Sequence, residues 1–265
     1  MLRDITLGQF YPGESLIHKL DPRVKIMATF IFIIELFLIT EFIQYLYIVL
    51  FLGLVIFISG VPLKFMLKGL RPLMIIIILT FGINIFMTKG DVLWTLGPLN
   101  ITREGLYQAL FMGSRLILLI IGSSVLTLTT KPINLTDGIE KLLNPFKKIG
   151  LPAHELAMMM TIALRFIPTL LEETDKIMKA QMARGADFES GNLLKRAKSL
   201  IPLLVPLFIS AFRRADELAM AMEARCYRGG ENRTRMHELE FHYKDIIAFL
   251  VVLCLLGIIV WQRLR

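Results

Sequence analysis

The sequence predicts an all-α integral membrane protein with about five transmembrane helices and a pair of long helices outside the membrane. Hydrophobic residues make up 55% of the 265 residues, and the mean hydropathy is +0.63. A soluble chain is about 45–50% apolar, glycine included, and its apolar residues are dispersed. Here they come in blocks, while 33 of the 52 charged side chains fall within residues 131–245. An ordinary soluble globule and a disordered chain are both excluded.

Five apolar blocks, with allowance for their flanks, fit the roughly 20 residues that a transmembrane helix needs. They are residues 25–40, 42–59, 73–88, 105–130 and 246–261. The first lacks a small-residue cleavage site and runs almost directly into the second, so it is not interpreted as a signal peptide. The predicted organisation is a four-helix membrane domain over 1–130, a cytoplasmic or interfacial domain over 131–245, and a transmembrane helix over 246–265.

Basic residues in the short loops predict the orientation. Seven Lys and Arg lie in the 60–72 loop and in the N-terminal segment up to and including Lys25, the first residue of the first block, against two in the alternate loops. This bias predicts that the N-terminus and residues 131–245 are cytoplasmic and that the C-terminus lies outside.

Polar residues within the apolar blocks are candidates for function because they are costly in hydrocarbon. Glu35, Asn84 and Arg115 are the three examples. One interpretation pairs Glu35 with Arg115 across the helix bundle. The other places each near the end of its helix, where it is partly hydrated.

No catalytic apparatus is visible in the sequence. It contains no G-x-x-x-x-G-K-[ST], no G-x-S-x-G and no H-E-x-x-H, so we expect no P-loop, no hydrolase elbow and no zinc protease site. Two cysteines exclude a disulfide framework. The net charge is +8, but residues 131–245 carry 18 Lys and Arg interspersed with 15 Asp and Glu. This mixture argues against nucleic acid as a partner, and we expect no metal site.

Two long helices are predicted in the charged segment. The first covers about 151–185 with Pro168 at its middle, and the second covers about 192–226 or 227 with Pro202 and Pro206 near its start. Each begins with an apolar stretch. These stretches are expected to lie in the membrane interface or against another apolar protein.

The two helices end alike. Asp175-x4-Ala180-x2-Ala183-Arg184 in the first matches Asp216-x4-Ala221-x2-Ala224-Arg225 in the second. An arginine in the last helical turn is ordinary helix-end chemistry, worth about 0.3–1 kcal/mol against the helix dipole. The repeat of the whole pattern favours a different interpretation, in which two guanidinium groups enter two acidic sockets on a partner.

Methionines are also concentrated in this segment: seven of the 14 fall within 151–225. Met158, Met159 and Met160 are consecutive. Methionine is adaptable and frequent on surfaces that accept several partners, although a methionine stripe is equally compatible with a plain core.

Three groups of motifs make the chain resemble a known family, the transmembrane (T) components of energy-coupling factor transporters. The first is YPGES at 11–15 with LDPRVK at 20–25. The second is LP at 151–152, ALRFIP at 163–168 and ARG at 183–185. The third is FRRADE at 212–217 with EARCYRGG at 223–230. Their order and spacing are more specific than any one of them, and the resemblance covers nearly the whole chain.

The resemblance implies a bacterial or archaeal importer of a vitamin or another micronutrient. Two cytoplasmic ABC-type ATPases, identical or related, would bind ATP and Mg²⁺. A membrane substrate-binding (S) component, either one or several interchangeable ones, would capture the substrate. The T component, with no cofactor of its own, would couple them through two crossed helices.

The site residues follow from the same resemblance. ATPase docking is expected at the two helix ends, which comprise Ala183, Arg184, Gly185, Ala224, Arg225 and Cys226. The S component is expected to contact Met158, Met159, Met160, Leu203 and Leu204. Cys226 stands where the family motif has glycine. The backbone conformation at Cys226 therefore does not follow from the motif, and the helix could instead continue to Gly229.

Two other functional classes fit the sequence less well. An intramembrane enzyme would use Glu35, Asn84 or Arg115, but no nucleophile or acid–base pair accompanies them. An autonomous channel or secondary transporter would be expected to show inverted repeats, and five helices interrupted by one large charged segment do not divide in that way.

Overall fold

A computed structural model describes residues 10–96, 99–188, 198–230 and 239–265, with backbone alone for 95, 96, 99 and 100. The chain divides into two compact units. One is formed by Gly8–Ile139 with Glu238–Arg265, and the other by Glu140–His237.

The first unit is helical apart from one hairpin. Its first helices are α1 (Pro22–Leu38), α2 (Phe42–Ser59), α3 (Leu63–Lys68), a 3-10 helix (Arg71–Leu73) and α4 (Met74–Met87). A two-stranded antiparallel hairpin follows, made of β1 (Val92–Leu96) and β2 (Leu99–Thr102). After it come α5 (Arg103–Thr129) and α6 (Pro132–Leu143), whose end reaches into the second unit.

The second unit contains a 3-10 helix (Asn144–Ile149) and two long helices, α7 (Ala153–Ala183) and α8 (Ile201–Ala224). The chain then returns to the first unit in α9 (Tyr243–Leu264). Both long helices continue through an internal proline, Pro168 in α7 and Pro206 in α8. The predicted start of the second long helix, at Asn192, lies outside the described residues.

Local sequence explains where the membrane helices start. Asp21 caps α1 by accepting the Arg23 backbone N–H at 2.8 Å, and Pro22 occupies the first helical position, where its missing N–H is harmless. Thr102 caps α5 in the same way, since its hydroxyl accepts the Gly105 N–H at 3.0 Å.

A buried polar network joins α1, α5 and α9. The Asp245 carboxylate, on α9, accepts the backbone N–H of Asp21 at 2.7 Å, and Asp21 in turn forms an ion pair with Arg23 at 2.6 Å. Lys25 Nζ donates to the carbonyl of Thr129, at the end of α5, at 3.0 Å. The LDPRVK motif therefore lies where the first, fifth and last helices of this unit meet.

Five helical stretches of the described chain are long and apolar enough to cross a membrane: Phe42–Ser59, Leu63–Met87, Arg103–Thr129, Ala153–Ala183 and Tyr243–Leu264. The all-α membrane fold and the number of candidate spans are confirmed, but the set of helices differs. The helix α1 has 17 residues, about 25 Å of rise, and falls just short. The helix α7 is included, although its most apolar window has a mean hydropathy of 1.2, the lowest of the five.

Two local features were not predicted. Residues 60–72 were interpreted as a loop, yet they contain α3 and a 3-10 helix. The β-hairpin between α4 and α5 was also missed, because strands of five and four residues give little periodicity to detect.

Candidate functional site

The end of α7 is a regular helix stop. Arg184 is the C-cap residue, and Gly185 follows with a left-handed φ of 88°. The Gly185 N–H donates to the Met182 carbonyl, and the Ala186 N–H donates to the Gln181 carbonyl, both at 2.9 Å. This pair of hydrogen bonds is the Schellman pattern, for which glycine is the preferred residue.

The end of α8 has the same geometry without a glycine. Arg225 is the C-cap residue, and Cys226 adopts a φ of 55°. The Tyr227 N–H donates to the Met222 carbonyl at 3.0 Å, as in the first helix end. The helix therefore ends at Ala224. The alternative that it continues to Gly229 is wrong, because the cysteine takes the left-handed conformation that the motif requires.

Single substitutions at Gly185 and Cys226 are expected to change the stability of the protein. A left-handed conformation costs a residue with a Cβ roughly 1–2 kcal/mol. We expect Cys226→Gly to raise the free energy of unfolding by about 1 kcal/mol and Gly185→Ala to lower it by about as much. A Cβ added at Gly185 would meet nothing within 4 Å, so the effect is confined to the backbone. Thermal unfolding of the purified variants measures both, and a destabilised Cys226→Gly would contradict the assignment.

Both helix ends are open to a partner. All six predicted docking residues are exposed: Ala183, Arg184, Gly185, Ala224, Arg225 and Cys226. Within the described part of the chain, neither Arg184 nor Arg225 takes part in an ion pair. Two guanidinium groups are thus presented beside small side chains that allow another surface to approach closely.

The two helices pack antiparallel. The Glu173 carboxylate of α7 accepts hydrogen bonds from Ser210 and, at 3.0 Å, from Arg214 of α8. Nearer the end of α7, Gln181 Nε2 donates to the Pro202 carbonyl, at the start of α8, at 3.4 Å. The residue numbers on one helix fall as those on the other rise, so the two arginines lie at opposite ends of the pair.

The central contact relates the two ends symmetrically. Glu173 precedes Arg184 by eleven residues, and Arg214 precedes Arg225 by the same eleven. We call the stretch of each helix from this contact to its arginine an arm. Eleven residues of helix span about 16 Å, so the two arms have equal length and extend in opposite directions. The sequence repeat is therefore laid out around a local pseudo-two-fold axis near the Glu173–Arg214 ion pair.

A further contact holds the Arg225 end. The His154 ring, in the first turn of α7, lies 3.1 Å from a Glu140 carboxylate oxygen and 3.3 Å from the Tyr227 hydroxyl. Gly230 packs against the same ring, and a Cβ there would come within 2.4 Å of it. The segment after Arg225 is thus attached to the start of the other long helix.

Sequence reasoning missed Glu173 and Arg214, whose contact joins the two long helices. Glu173 and Arg214 occupy equivalent positions of the repeat, and that equivalence was a usable signal. Opposite charges at matched positions fit two antiparallel helices that meet near their symmetry axis.

The residues predicted to contact an S component do not form one surface. Met159 and Met160, on the first turns of α7, and Leu204, at the start of α8, are exposed, Met158 is half-buried, and Leu203 is buried. Because the helices are antiparallel, the methionines and the leucines lie toward opposite ends of the pair.

Glu35 and Arg115 do not form the ion pair that was one of the two interpretations. Arg115 donates to the Ile39 carbonyl at 2.9 Å and lies over the rings of Phe37 and Phe111. It thereby satisfies a carbonyl beyond the C-terminal end of α1, where a cation is favourable. Glu35 is fully buried, and its carboxylate oxygens have no hydrogen-bond partner in the described structure.

Comparison with known proteins places these features in a family. Residues 13–236 match the model of the CbiQ family, described as cobalt transport proteins. A protein of Thermosediminibacter oceani named energy-coupling factor transporter transmembrane protein EcfT is 66% identical over 249 residues, which cover 94% of each chain.

Proteins of the same name from other organisms match over similar lengths. The one from Clostridium kluyveri is 60% identical and covers 100% of this chain and 98% of its own. The one from Bacillus subtilis is 50% identical, with 97% and 98% covered. The chain therefore belongs to the CbiQ family, as the transmembrane component of an energy-coupling factor transporter.

Proposed function

We propose that the chain transmits the movement of two ATPases to a substrate-binding membrane component, without binding nucleotide or substrate itself. The observation that carries the proposal is the pair of exposed arginines at opposite, symmetry-related ends of one antiparallel helix pair. A symmetric pair of contacts suits a dimeric partner, because a two-fold dimer presents the same surface twice.

Each arginine is proposed to enter a groove on one ABC-type ATPase. A guanidinium fork pairs with a carboxylate through two parallel hydrogen bonds. Ala183 and Gly185 beside Arg184, and Ala224 and Cys226 beside Arg225, leave room for the wall of each groove. The two arginines lie roughly 30 Å apart along the pair, since each is about 16 Å of helix from the central contact. That separation calls for two sockets rather than one.

The apolar starts of the two helices are proposed to rest on the S component and the membrane interface. Met159, Met160 and Leu204 are exposed large apolar side chains, and such a surface calls for a protein or lipid cover. Charged residues follow in the second half of α7, with Glu172, Glu173 and Asp175 close together. A helix with an apolar first half and a charged second half suits a position at the membrane interface.

The proposed mechanism is a lever. ATP binding draws the ATPases together and hydrolysis lets them part, and Arg184 and Arg225 move with them. The helix pair turns about the Glu173–Arg214 contact, and its apolar surfaces re-orient the S component so that the vitamin or other micronutrient is released inward. ATP and Mg²⁺ belong to the partners, since this sequence contains no P-loop.

We further propose that the N-terminus and the helix pair are cytoplasmic and that the C-terminus is outside. The bias of seven basic residues against two in the short loops supports this orientation.

Purification from native membranes tests the assignment of surfaces. A tagged chain is expected to bring down two P-loop ATPases and a small membrane protein. Replacing Met159 and Met160 with Glu is expected to remove the small membrane protein, because the charges disrupt an apolar contact, while the ATPase at Arg184, at the opposite end of the helix pair, stays bound. Loss of the ATPases instead would show that the surfaces are misassigned. Glu155→Lys, an exposed change on the same helix, is the control.

A further inference from the structure

An apolar groove in the first unit has no role in the proposed lever. It has a volume of about 400 Å³ and opens between α1, α2, α5, α9 and the segment before α1. Its walls include Phe32 of α1, Val55 of α2, Val125 of α5 and Val251 of α9. The volume is within the range of about 300–1,000 Å³ that is typical of small-ligand sites.

Charge is present at one end of the groove only. Its charged lining side chains are Lys25 and Lys244, and none is acidic. Both stand in the first turns of their helices, so they mark the same end of the groove. Lys244 is exposed. Lys25 Nζ donates to the carbonyls of Thr129 and His18, and an ammonium group has a third donor.

The neighbouring carboxylates are already engaged. Asp21 forms an ion pair with Arg23, and Asp245 accepts the backbone N–H groups of Asp21 and His242. With Arg23, Lys25 and Lys244 against Asp21 and Asp245, the end of the groove carries an excess of one positive charge. This end is complementary to an anion.

The length of the groove distinguishes a lipid from a protein helix. The lining residues of α1 extend from Val24 to Phe32, and those of α9 from Lys244 to Val252. Eight residues of helix span about 12 Å. One leaflet contributes about half of the roughly 30 Å hydrocarbon core. A groove of this depth suits an acyl chain in one leaflet, whereas a partner's transmembrane helix would make contact over the whole core.

We propose that this groove binds one anionic phospholipid, with an acyl chain between α1, α2, α5 and α9 and its phosphate beside Lys244 and Lys25. The lipid would fill the space at the junction where the LDPRVK motif meets α9. This site is separate from the helix ends and does not depend on the lever mechanism.

Native mass spectrometry of the full chain in mild detergent tests the proposal. Dioleoyl phosphatidylglycerol and dioleoyl phosphatidylcholine are added separately at equal concentration. We expect one phosphatidylglycerol to be retained per chain, with an affinity on the order of fivefold higher than that of phosphatidylcholine. Lys244→Gln is expected to remove most of this preference. Lys64→Gln, which changes an exposed lysine of α3 outside the groove, is expected to leave it unchanged.

Substitutions that fill the groove provide a second, independent test. Ala28 of α1 and Ala248 of α9 both line it, and Ala28→Phe or Ala248→Phe is expected to abolish retention of either lipid. Two walls are tested so that a folding defect in one variant leaves the other informative. Equal retention of both lipids, an unchanged preference in Lys244→Gln, or retention in the filled variants would overturn the proposal. Leu54 of α2 also lines the groove, and crosslinking of a photoreactive residue at this position to a partner chain in the assembled transporter would likewise overturn the proposal.

Discussion

Replacing both helix-end arginines with glutamate is expected to abolish binding of the ATPases and uptake. Each change removes a fork that pairs with a carboxylate and puts a negative charge in its place. Removing one partner of a buried charge pair costs about 2–5 kcal/mol, which is at least about 30-fold in affinity. Arg184→Glu or Arg225→Glu alone is expected to leave one contact and partial binding, because the two contacts act together as a bivalent grip.

Co-purification and uptake in the same membranes measure this result. Arg213→Glu is a matched control, since Arg213 is also an exposed arginine of α8 but lies about a dozen residues before the helix end. Normal ATPase binding and uptake in the double variant would defeat the docking assignment.

Charge reversal at the centre of the pair is expected to separate assembly from transport. Glu173→Arg places two cations together, and Arg214→Glu places two carboxylates together. Both groups are partly exposed, at 23% and 38%, so each repulsion is worth only about 1 kcal/mol. A shift of that size in the resting arrangement of the two arms is expected to slow uptake by about fivefold to tenfold, while the ATPases remain bound.

The double exchange, Glu173→Arg with Arg214→Glu, restores an attractive pair and is expected to recover uptake to within about twofold of the wild type. Glu172→Arg makes the same change of charge one residue away, at an exposed position, and serves as the control. If the single variants transport normally, or if the double exchange is no better than either, the contact does not position the arms.

Much of the helical fold could be predicted because apolar blocks are long and their ends carry clear signals. The second predicted span, 42–59, coincides with α2, which ends where Gly60 adopts a left-handed φ of 66°. The span predicted over 105–130 is close to α5, Arg103–Thr129. The segment 60–72 was harder, because Gly60, Pro62, Gly69 and Pro72 suggest a loop. Even so, α3 fits between Pro62 and Gly69, and the 3-10 helix includes Pro72.

The sequence predicted which residues form the candidate site, but it did not predict how they are arranged in space. The repeated Ala-Arg ends could be found by spacing alone. Their placement at opposite ends of an antiparallel pair depends on the contacts of Glu173 with Ser210 and Arg214, which no single-helix pattern reveals. The turn at Cys226 could not be predicted for a related reason. Backbone conformation at one residue reflects the hydrogen bonds around it, and the hydrogen bond from Tyr227 to Met222 holds that turn.

The absence of a Glu35–Arg115 ion pair has a similar cause. Sequence places both residues in apolar helices but does not reveal the carbonyls at helix ends. Arg115 reaches the carbonyl of Ile39, a local partner that competes with any distant carboxylate. Opposite charges within a membrane bundle are therefore a weak basis for predicting a contact.

Photocrosslinking from the two helix ends tests the central claim most directly. A photoreactive residue is placed at position 184, at position 225, or at both in one chain, and the assembled transporter is irradiated in native membranes. We expect each single position to link to an ATPase and the double variant to join one chain to two ATPase molecules. Crosslinks from neither position to an ATPase, or from both positions to a single ATPase molecule, would contradict a symmetric two-point grip.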